Sequence, residues 1–477
     1  MQESVRHDRR KLLLEGPIGP ALLRLAIPII LGNVLQTGYQ LTDAFWVGRL
    51  GAAAVAAVSV TFPVMFLVIA LGAGLAIAGA TLSAQYMGAG RQDMVNHVAA
   101  QTMMMVALTS VVFGAAGYML APYLLALLGV AADVFEGALG FMRVSFIGVI
   151  FVFMYAMFQA LMRGVGETRV PLLIVLGTVL LNFILDPLFI FGWGPLPAQG
   201  VMGAALATLV TQALATVLGL AVFLRGRHGI QLTWSGFRPD LAYIRRAFFL
   251  GVPGSIELAT RGLGPMLMSF LVASFGTVTL AAYGVGSNIL QFVTIPAMGL
   301  SMAVSALVSQ NIGAGNVDRA ARVTMLGTVA GLVVLTLIGV IAYAFAPSLV
   351  AFFIPGDSQV IDEGVRFIRV MCLAWGGVGV QLCIVSAFRA SGNMLVAMAI
   401  ALVGQFLFQF PLAYILSKHT SLGAEGLWLS FPITSIAVAI VSVCWFAQGG
   451  WKKTRLTEED KAIAEVAGQT IAEEGIR

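Results

Sequence analysis

Along this chain the apolar residues neither alternate nor keep to one helical stripe; they run on. Twelve such runs, at about 18–47, 52–86, 94–120, 134–161, 169–192, 199–224, 242–272, 277–311, 319–346, 359–388, 394–417 and 425–448, each exceed twenty residues. At ~1.5 Å of rise per residue, each is long enough to cross the ~30 Å of a bilayer's hydrocarbon as a helix. Several are longer than a crossing needs, so tilt or extension beyond the hydrocarbon is expected. A β-barrel would show short alternating segments instead. The pattern predicts an all-α polytopic membrane protein with twelve transmembrane helices.

Composition agrees: 59% of the 477 residues are hydrophobic and 10% are charged, and the mean hydropathy is +0.94. A water-soluble domain of this length needs far more charge. The 54 glycines suit close helix packing in lipid. Twenty of the 27 Lys and Arg fall in one set of loops, among them Arg91, Arg163, Arg169, Arg225, Arg319, Arg389 and Lys452. The opposite loops carry Asp133, Glu136, Asp357, Asp362 and Glu363. This asymmetry puts both termini on the cytoplasmic side of a bacterial-type plasma (inner) membrane, which requires an even number of spans. The charged start, Met1 to Lys11, carries no signal-peptide cleavage pattern. Cys372, Cys383 and Cys444 lie in apolar runs with no zinc or redox spacing, and His7, His97, His228 and His419 are scattered at span ends and loops. No metal site, nucleic-acid partner or cofactor is expected.

The chain repeats itself. Gln85-Tyr86-Met87-Gly88-Ala89-Gly90 matches Gln310-Asn311-Ile312-Gly313-Ala314-Gly315 at an offset of 225. Leu25-Ala26-Ile27-Pro28 matches Leu250-Gly251-Val252-Pro253 at the same offset, and Arg163-Gly164-Val165-Gly166 matches Arg389-Ala390-Ser391-Gly392 at 226. The offset covers six spans, an even number, so the halves share one orientation: a parallel repeat about an axis along the membrane normal. The expected organisation is a cytoplasmic segment 1–17, an N-lobe 18–224, a cytoplasmic linker 225–241, a C-lobe 242–448 and a cytoplasmic tail 449–477. In the tail, Thr457-Glu458-Glu459-Asp460 predicts a helix cap and first turn. The Gly-Ala-Gly segments lack the Lys-Ser/Thr of a nucleotide loop and follow no strand, so they predict helix stops before a turn. With no ATP-hydrolysing domain, pumping would have to be driven by an ion gradient.

Polar residues inside the spans carry the candidate chemistry. On the first span Asn33, Gln36, Gln40 and Asp43 are spaced 3, 4 and 3, which is one helical face; on the fifth, Thr178, Asn182 and Asp186 are spaced 4 and 4. Both spans run outward, which places Asp43 and Asp186 at similar depth in the outer half of the bilayer. A carboxylate within a span costs ~2.5–3.5 kcal/mol on insertion scales, so it should face an interior or a cavity. A pair would share a proton and titrate as a unit. Pro187 frees a carbonyl one turn back, which either ligates a cation or lets the helix bend. The structural alternative pairs Asp43 with Arg49 at the helix end and makes Asp186 a polar contact. Against it, the repeat maps Asp43 to Met268 and Asp186 to Leu412. A generic structural acid has no reason to be confined to one half.

The twelve spans, the six-plus-six repeat, the glycine turns, the Asp43-x-x-x-Val47-Gly48-x-Leu50-Gly51 motif and the Asn182-x-x-x-Asp186-Pro187 motif together resemble the multidrug and toxic compound extrusion (MATE) family, most nearly its DinF-like branch. The resemblance covers nearly the whole chain. It implies two six-helix lobes, an N-lobe cation site at Asp43, Asn182 and Asp186, and a monomer. A family threonine on the sixth span is best matched by Thr208.

The C-lobe's intramembrane acid is Glu257, with Arg261 one turn on. The sodium-coupled members of the family place an acid where Arg261 stands, which argues against a C-lobe sodium site. The pair is read as an internal ion pair or as a gate. Substrate-lining candidates are Gln36, Tyr39, Gln40, Tyr155, Gln159, Asn288 and Gln291. Abundant Met and aromatic faces suit amphipathic organic cations. The expected function is therefore secondary antiport of such compounds against H⁺ or Na⁺ by alternating access. The alternative is a lipid-linked precursor flippase, which would want a strongly basic cavity; Arg24, Arg143 and Arg261 are few and scattered. No Ser/His/Asp, Cys/His or metal constellation supports an enzyme.

Overall fold

The computed structural model describes residues 11–195, 197–354 and 356–457. Its helices are α1 Ile18–Gly48, α2 Ala52–Gly88, α3 Gln92–Leu127, α4 Ala132–Gly164, α5 Arg169–Phe191, α6 Val201–Arg225, α7 Leu241–Ala273, α8 Thr277–Gly313 and α9 Val317–Ala344. They continue with the short α10 Ala346–Phe353, then α11 Ser358–Cys372, α12 Trp375–Ala390, α13 Met394–Leu402, α14 Phe410–Lys418 and α15 Ala424–Ala447. Among the described residues eleven helices are long and apolar enough to cross a membrane, and the bent pair α11–α12, counted as one span, brings the number to twelve. The first nine lie within a few residues of the expected runs, except that α3 continues to Leu127.

Two spans depart from expectation. The tenth is broken, with α11 and α12 meeting at 50°. Asp362, Arg366 and Arg369 recur on one face of α11 while Val360, Phe367, Ile368 and Met371 are buried on the other. An amphipathic segment of that kind suits an interface rather than hydrocarbon, so the chain turns where the charges stop. In the eleventh span the backbone opens into a π-helix over Val403–Gln409, between α13 and α14. Pro411 follows at once; its missing N–H and its ring cannot be fitted into a regular helix, and the wider turn accommodates it.

The chain packs as two units that are not contiguous in sequence. The first comprises 27–83 and 92–259, the second the described residues of 11–26, 84–91 and 260–457. This division differs from the expected lobe boundaries. The linker and the first half of α7 pack with the first unit. The Gln92 carboxamide donates to Gly229 O at 2.7 Å, that of Gln101 to Gly236 O at 2.8 Å and Arg238 O at 2.6 Å, and Ser255 Oγ to Leu71 O at 2.6 Å. The linker is thus a docked segment with one 3₁₀ turn, Trp234–Phe237.

In the first unit α4 is the central helix, packed against α3 and α6. Glycines make room for its rings: a Cβ on Gly117, Gly72 or Gly219 would collide with Phe146, Phe153 or Phe158. In the second unit α12, in the corresponding span, packs against α8, α9 and α15. Its core gathers Met268, Trp375, Phe367 and Trp428, and the Trp428 indole donates to Glu363 Oε1 at 2.7 Å.

The Gly-Ala-Gly segments do more than stop helices. Gly90 and Gly315 take the left-handed φ of +75° and +83° that end α2 and α8. Two residues earlier, Gly88 and Gly313 form a reciprocal crossing: a Cβ on Gly88 would strike Gln310 O, and one on Gly313 would strike Gln85 O. Glycine is required there because backbone meets backbone. The crossing is fastened by Gln85, whose carboxamide donates to Ala390 O at 2.8 Å and accepts from Leu456 N at 3.0 Å. The tail's first residues are therefore built into the second unit, with Trp451 stacked on Phe446 at 4.7 Å and Leu456 buried. The tail beyond Thr457, including most of the expected cap, lies outside the described residues, as does the segment before Lys11.

Candidate functional site

The polar face expected on α5 is present. Thr178, Asn182 and Asp186 are all buried, together with Val175 and Ile190, while Phe183 and Ile184 are exposed. Asn182 and Asp186 are fully enclosed, and the Asn182 carboxamide donates to Asp186 Oδ1 at 2.9 Å. From α1, Asp43 reaches the same place: its carboxyl lies within hydrogen-bonding range of Asp186 and also interacts with Asn182. From α6, Thr208 donates to Asp43 Oδ2 at 3.3 Å. All four residues belong to the first unit.

Around them the hydroxyls are ordered. Thr211 donates to the backbone at Ala207 O, 3.0 Å, and Thr208 O, 2.9 Å. The Tyr39 and Thr211 hydroxyls also lie 2.6 Å apart, a hydrogen bond in which either oxygen can donate. Beyond the acids, Trp46 of α1 packs on Phe183 and Phe191 of α5, with ring centroids 6.0 and 6.2 Å apart. Arg49 does not turn back to Asp43. Its guanidinium stacks on Phe45 at 4.6 Å and on Trp46 at 5.1 Å.

Chemically, the site is two carboxyls held side by side with little water. Asp43 Oδ1, Asp186 Oδ2 and Asn182 Oδ1 are buried and receive no hydrogen bond from a hydroxyl, amide or guanidinium. Two bare charges at that separation repel strongly in a low dielectric, and leaving buried acceptors unsatisfied is costly. One proton shared between the carboxyls relieves both penalties, and one small monovalent cation among these oxygens would do the same. Pro187 follows Asp186 directly inside α5, where the missing N–H leaves the carbonyl of Phe183 without its helical partner.

The remaining candidates are placed differently. Tyr39 and Tyr155 are buried, the latter donating to Pro171 O at 3.3 Å, and so are packed rather than open. Gln40 is exposed on α1, and Asn288 and Gln291 are exposed three residues apart on α8, in the second unit. Gln36 and Gln159 line a small cleft of about 70 Å³ bounded by α1, α4 and α5, with Asn33, Arg163 and Thr168. The part of Arg163 and Thr168 in this cleft was not foreseen. The signal available was that Arg163 follows Gln159 by four residues on α4, hence on the same face. Glu257 is fully buried but packs in the first unit, whereas Arg261, half-buried, belongs to the second.

The wider comparisons can now be set beside this geometry. The MatE family profile matches residues 28–188 and 253–415, once in each half. The Bacillus subtilis protein named probable multidrug resistance protein YoeA is 29% identical over 436 residues, covering 90% of this chain and 94% of its own. A Shewanella oneidensis protein named FAD transporter is 28% identical over 437 residues, covering 91% and 95%. An outward-facing multidrug resistance MATE family transporter superposes with a TM-score of 0.87 at 24% identity, covering 93% of this chain and 98% of that one. Two matched halves, twelve apolar spans and a shared fold lead to one conclusion: the chain belongs to the MatE family of multi-pass membrane transporters.

Proposed function

We propose that this chain is an antiporter that exports amphipathic organic cations in exchange for H⁺ or Na⁺, with Asp43, Asn182, Asp186 and Thr208 as the coupling site. The observation that carries the reading is the pairing of the Asp43 and Asp186 carboxyls, each of which keeps one buried oxygen, Asp43 Oδ1 and Asp186 Oδ2, with no hydrogen-bond donor among the described residues. Charging or neutralising that pair changes what α1 and α5 can tolerate between them. Coupling then follows from reciprocity: substrate and ion must bias opposite states of the transporter. In this reading the moving parts are an N-lobe, 18–224, and a C-lobe, 242–448, joined by 225–241. Both termini are cytoplasmic, as the excess of Lys and Arg in one set of loops supports, in a bacterial-type inner membrane. The protein works as a monomer among membrane lipids, and Glu257 and Arg261 serve as a gate or ion pair on α7.

The test is efflux of a fluorescent organic cation from pump-deficient bacteria, with a proton or a sodium gradient imposed separately. Asp43→Asn and Asp186→Asn should reach the membrane at normal levels and lose gradient-driven efflux, and the gradient that drives the wild type names the ion. Unchanged efflux in both variants would overturn the assignment. A second substrate class belongs in the same assay, since a relative 28% identical bears the name FAD transporter. Gradient-driven export of a flavin dinucleotide with no export of cations would replace the cation reading while leaving the coupling site to be judged by the same variants.

A further inference from the structure

The cleft between α1, α4 and α5 contains a charge that nothing among the described residues balances. Arg163 sits on the last turn of α4, half-buried, and its guanidinium makes no hydrogen bond or ion pair among the described residues. Its nearest acid in sequence, Glu167, is committed elsewhere: Glu167 accepts from Arg169 N at 3.0 Å and faces His228 Nδ1 at 3.6 Å. Across the cleft, the carboxamides of Asn33 and Gln36 on α1 make no side-chain hydrogen bond among the described residues. Gln159 lies one turn before Arg163 on α4, and Thr168 stands at the start of α5.

An unpaired guanidinium inside a membrane protein is expensive unless something anionic meets it. A planar fork of N–H donors matches the two oxygens of an oxyacid. The carboxamide N–H groups of Asn33 and Gln36 and the Thr168 hydroxyl add neutral donors to the same space. The Arg163 charge disfavours a cation here, and Glu167, the acid that flanks it, is already bonded.

We propose that this cleft binds the anionic oxyacid group, carboxylate or phosphate, of a ligand, with Arg163 as its anchor and Asn33, Gln36 and Thr168 as supporting donors. This site is distinct from the paired acids. Along α1, Gln36 precedes Asp43 by seven residues, which is roughly 10 Å of helix rise. The proposal goes beyond the exporter reading, because it adds a negative group to the chemistry of what this protein holds. The same chemistry also fits the headgroup of an anionic lipid.

The test measures binding and imposes no gradient, so it stands apart from the coupling reading. Purified protein in phosphatidylcholine nanodiscs is titrated with radiolabelled inorganic phosphate and with benzoate, with chloride as the ionic-strength control. The same preparation in discs containing phosphatidylglycerol is examined by native mass spectrometry for retained lipid. Wild type should bind one of these probes. Arg163→Gln should weaken that binding at least tenfold, and Arg163→Lys, which keeps the charge but loses the fork, should fall between. Should Arg163→Gln fold poorly, Asn33→Leu and Thr168→Val serve as the second set and should weaken binding several-fold. Binding of phosphate or benzoate in neutral discs identifies a soluble ligand, and retention of phosphatidylglycerol alone identifies a lipid. No binding of any probe, or equal binding by wild type and Arg163→Gln, overturns the proposal.

Discussion

The two halves of the repeat agree in how they are built and differ in what they carry. At the ends of α2 and α8 they are near copies: Gly88 lies against Gln310 as Gly313 lies against Gln85. At the positions of the acids they part. Asp43 is matched by Met268, which is fully buried in an apolar core with Trp375 and Trp428, and Asp186 by Leu412. The halves share the backbone contacts that only glycine permits and do not share the carboxyls. A charge pair is costly inside a membrane unless something repeatedly neutralises it, so one half bears that cost and the other packs the same place with hydrocarbon.

The sharpest way to break this comparison is to neutralise one half and disturb the other. Asp43→Asn and Asp186→Asn should each reduce gradient-driven efflux by two orders of magnitude or more. Met268→Leu, a volume-conserving change costing under about 1.5 kcal/mol, should leave both efflux and its ion dependence as in the wild type. Gradient-driven efflux that survives in the acid variants but fails in Met268→Leu would reverse the assignment of chemistry to halves.

The shared scaffold is tested at the crossing. Gly88→Ala and Gly313→Ala each force a methyl group against a backbone carbonyl that cannot swing aside. Each should destabilise the protein by about 1–3 kcal/mol, the usual cost of overpacking, read as a lowered midpoint of thermal unfolding in detergent. Because the contacts are reciprocal, the two losses should be equal within experimental scatter. A loss at one position alone would show that the halves are not equivalent there. A comparable effect is expected at Trp428→Phe, which removes the indole hydrogen bond to Glu363; a bond to a charged group is worth about 1.5–3 kcal/mol, and here it supports the second core only. Stability should fall with no change in which ion drives efflux.

Much of this was legible in the sequence, for physical reasons that also mark where legibility ends. Long apolar runs report helices directly, and every span but the third begins and ends within a few residues of its run when the bent pair is counted as one. The spacing of Asn182 and Asp186 by one turn gave their shared face, and the structure buries both. The break before Trp375 was not legible as a break, because hydrophobic content alone does not distinguish an amphipathic interfacial turn from a crossing. The π-helix was hidden too, although Pro411 marks where it would be needed. The reciprocal glycines read as helix stops, since sequence shows which residues lack a side chain but not which backbone approaches them. Arg163 was counted as a loop charge; its want of a partner becomes visible only when α1, α4 and α5 are placed around it.

The finest division lies within the site, between the two threonines of α6. Thr208 donates to Asp43 at 3.3 Å, whereas Thr211 bonds to the backbone and shares a hydrogen bond with Tyr39. Only the first touches a carboxyl. Thr208→Val removes one donor from Asp43, worth about 0.5–1.5 kcal/mol for a single hydrogen bond. That is roughly a two- to tenfold change in the ion concentration giving half-maximal efflux. Its value should sit toward the lower end, since Thr208 is only half-buried and water can take its place. Thr211→Val leaves Asp43 untouched and strands the Tyr39 hydroxyl, so it should lower stability while the ion dependence keeps its midpoint. Measuring that midpoint in both variants separates a residue that senses the ion from one that holds the wall behind it. Equal shifts in the two would mean that Tyr39, through Thr211, is part of the coupling site as well.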